Sequence, residues 1–400
     1  MLIEFTVKNY ASFKERTTLS AETGNRLRKL KETNTFSSKN PSLLKSLLLF
    51  GPNGSGKSQL IQALQTMEGI VTRPTQAATD KLNYYPFLFD EKSKIEDTYF
   101  EVKLELKNKI YDYSFSYNRE SITSEALTLI NGNKEKSIFS RNGNDIHVSN
   151  KLLEDSIPKL RNNSLFLYLA QSENDADCIA IYKWFADDLL FIHDNLAMFS
   201  QEKFLSQLEN KGLRKEIVSF LNSIDFDIYG IRLKNEPYHL LKRIYIVHKI
   251  YDHNKMIGLK EIKLANESTG LQQILQIVLS IVFAQNEGND KTIIMDDFSK
   301  AFHIELASAL VKIFNSKESL NQFIVTTHNV QLMDNDLRID QIYLIDKDFH
   351  GISNLKSVFD FEDARNIGRH DISFAKRYLQ GKFGAMPVIN IDGLCSILSK

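Results

Sequence analysis

The strongest constraint on this chain is the run GPNGSGKS at residues 51–58, which directly follows an apolar segment. It fits the pattern G-x-x-x-x-G-K-S, in which glycines let successive backbone N–H groups converge on phosphate oxygens at the start of a helix. In such a loop the lysine, Lys57, reaches the terminal phosphates and the hydroxyl of Ser58 ligates Mg²⁺. We therefore predict a nucleotide-phosphate site made by Gly51, Asn53, Gly54, Ser55, Gly56, Lys57 and Ser58.

An acidic strand end supplies the second signal. The run TIIMDD, residues 292–297, is an apolar strand that finishes in two carboxylates. We predict Asp296 as the outer-sphere partner of Mg²⁺ and Asp297 as the base that polarises the attacking water. An acidic strand end without a catalytic role is the plainer alternative.

Two further segments are less specific. His328 ends the apolar strand in FIVTTHN, where its imidazole can contact a γ-phosphate, although a lone histidine at a strand end is more often structural. In ANESTGLQQ, Ser268 and Gly270 open a buried helix and offer a second anion site. An ordinary N-cap serine explains that segment equally well.

Composition limits the class of protein. With 42% hydrophobic residues in 400, the chain can bury a large core. Lysine plus arginine equals aspartate plus glutamate at 50 each, which excludes a uniformly basic nucleic-acid coat but not a local basic patch. Cys178 and Cys395 lack metal-ligand spacing and suit reduced thiols. The longest apolar run, 274–284, is too short to cross a bilayer, so we expect a soluble cytoplasmic protein.

Hydrophobic periodicity predicts the order of the elements. Alternating residues between 98 and 130 predict an antiparallel meander, and the N-terminal segment predicts a strand followed by a hairpin. Apolar residues at three- and four-residue spacing predict helices from about 151 to 223. After that, the pattern predicts three strands, the buried helix 271–285, the acidic strand, the helix 302–315, the TTH strand and a last hairpin near 341–359.

The order of these motifs carries a resemblance. A phosphate loop, a long insertion, a serine–glycine helix start, an acidic strand and a Thr-Thr-His strand resemble the ATPase head of ATP-binding-cassette (ABC) proteins of the RecF/SMC/OLD kind, as does the opening VKNYASFKERTTLS. The closing RYLQGKFGAMPVI is similar to bacterial AAA-type ATP-binding subunits of the RloA/AbiL type from phage-defence operons. The implied fold is α/β: a P-loop NTPase whose ABC-like head has a mixed central sheet and an antiparallel β-subdomain. Residues 1–150 and 224–400 would form the head, and 151–223 an inserted helical lobe.

The resemblance also implies a function. Its cofactors would be ATP and Mg²⁺, and two subunits would sandwich two ATP molecules in a homodimer. Ser268 and Gly270 of one subunit would then bind the γ-phosphate held by Lys57 of the other. The protein would be an ATPase switch that holds or releases a separate effector, a nuclease or toxin, in anti-phage defence.

Three departures from the family pattern affect these expectations. The signature reads ESTGLQQ rather than LSGGQ, and YYPFLFD at 84–90, near the expected glutamine loop, contains no glutamine. Asp297 replaces the usual glutamate and withdraws the carboxylate by about 1.5 Å, one C–C bond. Since a misplacement of about 1 Å costs on the order of a hundredfold in rate, we predict slow hydrolysis.

Other functions remain open from the sequence. A RecF-like repair ATPase would bind duplex DNA. The neutral net charge of the chain weakens this hypothesis. The nucleotide-binding subunit of a transporter would not explain the inserted lobe, and a small-molecule kinase would not explain the Thr-Thr-His strand. Asp346 and Asp348 have the spacing of a TOPRIM metal pair, but a hairpin turn at this point is the simpler interpretation.

Overall fold

The computed structural model describes residues 1–24, 27–132, 134–192, 207–234, 244–361 and 373–386, together with positions 391 and 395. The strands are β1 (Leu2–Lys8), β2 (Thr17–Ser20), β3 (Thr35–Phe36), β4 (Leu43–Leu44), β5 (Ser46–Phe50), β6 (Thr98–Leu106), β7 (Lys109–Tyr117), β8 (Ile122–Asn131), β9 (Lys134–Asn142), β10 (Asp145–Val148), β11 (Leu189–Ile192), β12 (Gly230–Leu233), β13 (Ile244–Asp252), β14 (Lys255–Lys263), β15 (Thr292–Met295), β16 (Gln322–Thr326), β17 (Ile342–Lys347) and β18 (Ser353–Ser357). The helices are α1 (Lys31–Asn34), α2 (Lys57–Thr72), α3 (Phe166–Ser172), α4 (Ala176–Lys183), α5 (Lys211–Ser223), α6 (Thr269–Asn286), α7 (Ile304–Phe314) and α8 (Phe374–Leu379).

A six-stranded central sheet positions the predicted site. Its order is β11-β15-β16-β5-β17-β18, and every neighbouring pair is parallel except β17 with β18. Strands β5, β15 and β16 are buried along their whole length, which explains their continuous apolar sequences. Because these strands are parallel, their carboxyl ends meet at one edge, where α/β sheets bind ligands.

The second sheet is the predicted antiparallel subdomain. Seven strands run in the order β10-β9-β8-β7-β6-β1-β2, and each pairs antiparallel with its neighbours. On β7 the alternate residues Tyr111, Tyr113, Phe115 and Tyr117 are buried, as their period of two predicts. The meander and the N-terminal hairpin are therefore confirmed.

Two hydrophobic cores flank the central sheet. One holds α2 and joins the central strands to the antiparallel sheet, through contacts among residues such as Leu64, Phe5 and Phe100. The other packs α6 and α7 against the opposite face and extends to α5 and the three-stranded sheet β12-β13-β14. The head is thus layered around one sheet. Within the described residues, no helix combines the length and apolar character needed to cross a membrane.

The segment 151–223 contains more than helices. Helices α3, α4 and α5 form as the spacing predicts, but the helical expectation for IYKWFADDLLFI is wrong in its second half. There α4 runs into a π-helical turn, Trp184–Asp188, and Leu189–Ile192 then pairs in parallel with β15 at the edge of the central sheet. Pairing with an available edge strand outweighs the helical spacing of a four-residue apolar run. The division into a head and a lobe at 151 and 223 stays a prediction.

The polar, serine- and asparagine-rich composition of residues 31–42 predicts a loop, but this stretch is partly ordered into short elements. The polar stretch 31–42 holds α1 and β3, and β3 pairs with β4. Its Asn34 is buried and donates to the backbone of Asp336 and to the side chain of Gln341. Long-range bonds of this kind are not visible in local sequence, which explains the wrong expectation.

Candidate functional site

The loop between β5 and α2 takes a shape that only glycine allows at two positions. A Cβ atom on Gly51 would lie 2.2 Å from the carbonyl oxygen of Ile345. Gly56 has φ of +115°, and a Cβ there would lie 2.4 Å from Ser353 Oγ. Both positions of the G-x-x-x-x-G pattern therefore require glycine, because a Cβ atom would collide with a neighbouring oxygen and because the backbone conformation disfavours other residues.

Lys57 lies inside the curve of its own loop. Its Nζ donates to the carbonyl oxygens of Gly51 at 2.9 Å and Pro52 at 3.0 Å. Burial lowers the pKa of Lys57 to about 8, while Asp297 and Asp296 oppose that shift. An anionic ligand would therefore strongly stabilise the charged form of this poorly hydrated ammonium.

The remaining loop residues suit a phosphate ligand. Ser55 is buried, and its Oγ has no hydrogen-bond partner among the described residues. Asn53, Gly54 and Ser58 are exposed on the outer side of the turn. A nucleotide phosphate with its metal ion would provide partners for the Ser55 hydroxyl, the poorly hydrated Lys57 ammonium and the exposed Ser58 hydroxyl at the helix N-terminus.

The two predicted carboxylates follow β15 directly, beside the end of β16. Asp297 has φ of +48°, an uncommon backbone conformation for a residue other than glycine, and its N–H donates to Thr326 Oγ1 at 2.7 Å. The Thr326 hydroxyl in turn donates to Asp296 Oδ1 at 2.5 Å. One threonine therefore sets both the backbone of Asp297 and the orientation of the Asp296 carboxylate.

His328 completes the group at the end of β16. Its side chain is exposed and lies beside Gly51, and its pKa lies below the usual value. The main cause is loss of hydration, followed by the charge of Lys57, while Asp297 and Asp296 oppose the shift. The imidazole is thus held neutral at neutral pH against the first residue of the loop.

The structure brings Asp296, Asp297 and His328 together with Lys57 of the phosphate loop, but not Ser268 and Gly270. Asp296 and Asp297 lie close enough to Lys57 and His328 for their charges to act on the pKa of both residues. Ser268 is exposed and caps α6, its Oγ accepting from Leu271 N at 3.2 Å. A Cβ on Gly270 would meet only Ala301 and Phe226. Within one chain, Ser268 and Gly270 therefore act as a helix start, and their phosphate-binding role in a dimer stays a prediction.

Several neighbours of the loop were not predicted. Ser12 and Ser353, at the tips of the first and last hairpins, hydrogen-bond to each other and to the loop, and Gln59 joins them from α2. These residues are ordinary serines and a glutamine, without spacing that marks them. Only the resemblance of NYASF to the opening of the ABC heads pointed towards the first hairpin.

One carboxylate of the pair considered for a TOPRIM site closes a hairpin turn. Asp348 Oδ1 accepts from the N–H groups of His350 at 2.9 Å and Ile352 at 2.8 Å, which closes the turn between β17 and β18. The hairpin-turn interpretation thus accounts for Asp348. In the part of the chain that the structure describes, no three His, Cys, Asp or Glu side chains cluster as metal ligands.

A groove of about 640 Å³ lies along α2 next to the loop. Tyr10, Tyr85 and amides of α2, including Gln59 and Gln62, line it. The segment 84–90, near which a glutamine loop was expected, therefore borders a glutamine-rich helix face. The position of a glutamine loop is not assigned by this arrangement.

Comparison with known proteins now identifies the family. Residues 46–334 match the family model described as "AAA domain, putative AbiEii toxin, Type IV TA system". The chain belongs to this family. The match spans the phosphate loop, the acidic strand and His328, and together with the sheet topology it supports the predicted ABC-type ATPase head. No curated protein matches the chain.

Solved structures of two SMC heads are similar to the chain. The SMC head domain from Thermotoga maritima has 14% identity and a TM-score of 0.39, over 89% of this chain and 98% of that one. An SMC head bound to the C-terminal winged-helix domain of ScpA has 10% identity and a TM-score of 0.48, over 92% of this chain and 99% of that one.

Proposed function

We propose that the protein is an ATP-driven switch subunit that dimerises on ATP, hydrolyses it slowly and holds or releases a separate effector in anti-phage defence. One observation carries the ATPase part of this proposal: Lys57, Asp296, Asp297 and His328 converge on the phosphate loop at the carboxyl edge of the central sheet. The family to which the chain belongs supports the same activity.

The chain's own residues suggest how Mg²⁺-ATP would be held. Backbone N–H groups of the loop and the Lys57 ammonium would bind the phosphates, while the Ser58 hydroxyl and the oriented carboxylate of Asp296 suit the metal and its waters. The metal would supply charge neutralisation on the transferred phosphoryl group. The imidazole of His328 would lie beside the γ-phosphate position.

Asp297 is placed to act on the attacking water. Its backbone is pinned by Thr326 in an uncommon conformation, and such strain is often found at reactive residues. Aspartate is one methylene shorter than the glutamate usual in this family, so the carboxylate reaches less far towards the water. We therefore propose slow turnover, which suits a timed switch better than a motor.

The first experiment measures ATP binding and hydrolysis by the purified protein and by Lys57→Ala. We expect Lys57→Ala to lower ATP affinity about a hundredfold and to remove hydrolysis. The matched control is Lys45→Ala, because Lys45 is also a buried lysine with a lowered pKa but precedes β5 at the opposite edge of the sheet. If Lys57→Ala hydrolysed ATP as fast as the wild type, the proposed site would be wrong.

The dimer is proposed from the exposed start of α6. Ser268 and Gly270 would meet the ATP bound to the other subunit, so Ser268→Arg should prevent ATP-dependent dimerisation, as measured by light scattering. Ser373→Arg is a suitable control because Ser373 also caps a helix, its Oγ accepting from Lys376 N at 2.9 Å. A dimeric mass for Ser268→Arg in the presence of ATP would contradict the sandwich.

The effector is proposed from the family description, which names a toxin of a toxin–antitoxin system. A pull-down of tagged Asp297→Asn from the native host, in the presence of ATP, would capture the ATP-held state. A stoichiometric second protein with a nuclease or toxin fold would support the switch. Recovery of the chain alone with nuclease-sensitive DNA would instead indicate a repair-type ATPase.

A further inference from the structure

A set of hydroxyl groups holds the phosphate loop from behind. Ser353 Oγ donates to the carbonyl oxygen of Ser55 at 2.6 Å and contacts Ser12 Oγ at 2.6 Å. Ser12 Oγ also hydrogen-bonds to the amide of Gln59, and Ser353 N donates to Ser12 O at 2.8 Å. We call Ser12, Ser353 and Gln59 the serine clamp. Ser12 and Ser353 are buried, so this is an internal arrangement.

Proton counting gives the clamp a direction. Each serine hydroxyl carries one proton, and that of Ser353 is used on Ser55 O. The contact between the two serines therefore needs the proton of Ser12. Gln59 Oε1 faces Ser12 Oγ in the structure, and turning this amide by 180° presents its NH₂ group there instead, which leaves the proton of Ser12 for Ser353. The bonds then run from Gln59 through Ser12 and Ser353 to Ser55 O.

The bond to Ser55 O controls a neighbouring donor. In a trans peptide the C=O and the following N–H point in opposite directions within one plane. Holding Ser55 O towards Ser353 therefore turns the N–H of Gly56 to the other side of the loop. Gly56 has little room to move towards Ser353 and turn its N–H back, since a Cβ atom on Gly56 would lie only 2.4 Å from Ser353 Oγ.

We propose that Ser353, supported by Ser12 and Gln59, is a positioning residue that aims the Gly56 N–H at a nucleotide phosphate. This inference rests on the proposed binding of ATP to the loop. It makes nucleotide affinity depend on the first and last hairpins of the chain, which carry Ser12 and Ser353. Neither residue touches the nucleotide itself.

The test compares Ser353→Ala with Ser353→Thr, which keeps the hydroxyl. Loss of one hydrogen bond that orients a phosphate donor should raise KM and the ATP dissociation constant about tenfold, with kcat within about twofold. Ser353→Thr should stay within about threefold of the wild type. Ser12→Ala should raise the dissociation constant about threefold, and the double alanine variant should match Ser353→Ala, because both act through one chain of bonds.

Two controls separate the possible failures. Ser357→Ala removes another hydroxyl from β18, one that accepts from Phe359 N and Asp360 N away from the loop, so ATP affinity should not change. Wild-type protein that failed to bind ATP would refute the proposed function together with the clamp. Wild-type binding that Lys57→Ala abolishes and Ser353→Ala leaves intact would overturn the clamp alone. The clamp would also be overturned if Ser353→Thr lost as much ATP affinity as Ser353→Ala and both variants unfolded at a lower temperature.

Discussion

The two edges of the central sheet carry polar side chains of opposite character. At the carboxyl edge, Lys57, Asp296, Asp297 and His328 form a group of charged and titratable side chains around the phosphate loop. At the amino edge, amides and hydroxyls form neutral networks, and buried charged groups are paired internally, as Lys291 is with Asp188 and Arg338 with Asp340. Both edges belong to the same five parallel strands, so sheet geometry alone does not explain the difference.

The amino edge is satisfied internally. The amide of Gln341 donates to Ser46 O at 3.0 Å and to Asn315 Oδ1 at 2.9 Å, and accepts from Asn34 Nδ2 at 2.8 Å. The amide of Gln322 pairs with both backbone groups of Leu2, at 2.9 and 3.1 Å. Neutral networks with complete bonding stabilise and specify a fold.

The carboxyl edge is instead left unsatisfied. Lys57 has a depressed pKa, Ser55 Oγ lacks a partner among the described residues, and Asp297 has a strained backbone. Each of these features costs stability in the free protein. Stabilising hydrogen bonds are therefore concentrated at the amino edge of the sheet, and groups able to bind a ligand at the carboxyl edge.

The largest expected effect is on catalysis at the carboxyl edge. Asp297→Asn removes the base and should lower the ATP turnover rate about a thousandfold while ATP binding is kept. Asp336→Asn is the matched control, because Asp336 is an exposed aspartate with φ of +50° away from the loop. Steady-state phosphate release measures both. Unchanged turnover in Asp297→Asn would show that another group activates the water.

The next effect is on stability at the amino edge. Gln341→Leu leaves several buried donors and acceptors unpaired and should lower the free energy of unfolding by about 3 kcal/mol. ATP turnover per folded molecule should remain normal. Urea unfolding measures the change, with Gln331→Leu as an exposed control. A loss of turnover without a loss of stability would contradict the division between the edges.

Much of the carboxyl edge could be predicted from sequence. Phosphate loops depend on local residue types, so Gly51 to Ser58 were found from spacing alone. Asp296, Asp297 and His328 were found because each directly follows an apolar strand, and parallel strands bring such residues to one edge. The antiparallel meander was equally visible, since Tyr111 to Tyr117 alternate strictly.

The residues that sequence analysis missed act through distant contacts. Ser353 meets Ser55 across 298 residues, and Gln341 meets Ser46 across 295. Leu189–Ile192 joined the sheet because an edge of β15 was free, which no local spacing reveals. Common polar residues without a motif become functional or structural only when the topology brings them together. The phosphate-binding role of Ser268 and Gly270 depends on a second subunit and stays a prediction for the same reason.

A smaller effect compares two buried threonines on neighbouring strands. Thr326→Val removes the hydroxyl that orients Asp296 and Asp297, and should lower turnover about tenfold. Thr292→Val removes a hydroxyl that bonds to Gln322 Oε1 at 3.1 Å at the amino edge, and should reduce stability without affecting turnover. Paired turnover and urea measurements on both variants test this. Equal turnover in the two variants would remove Thr326 from the site.

The last effect is the pH dependence of ATP affinity, which within about half a pH unit of pH 8 is smaller than the effect of Thr326→Val. Lys57 in the free protein has a pKa of about 8, against an ordinary value of 10.5, and bound phosphates would raise it by supplying the missing opposite charge. Affinity should therefore be constant below about pH 8 and fall above it by up to about tenfold per pH unit, with proton uptake on binding. The lowered pKa of His328 keeps that ring neutral throughout this range. Calorimetric titration between pH 7 and 9.5, in buffers of different ionisation enthalpy, measures both quantities. Lys57→Arg keeps its charge and should lose the slope, whereas a flat wild-type profile would mean that Lys57 is already paired when ATP arrives.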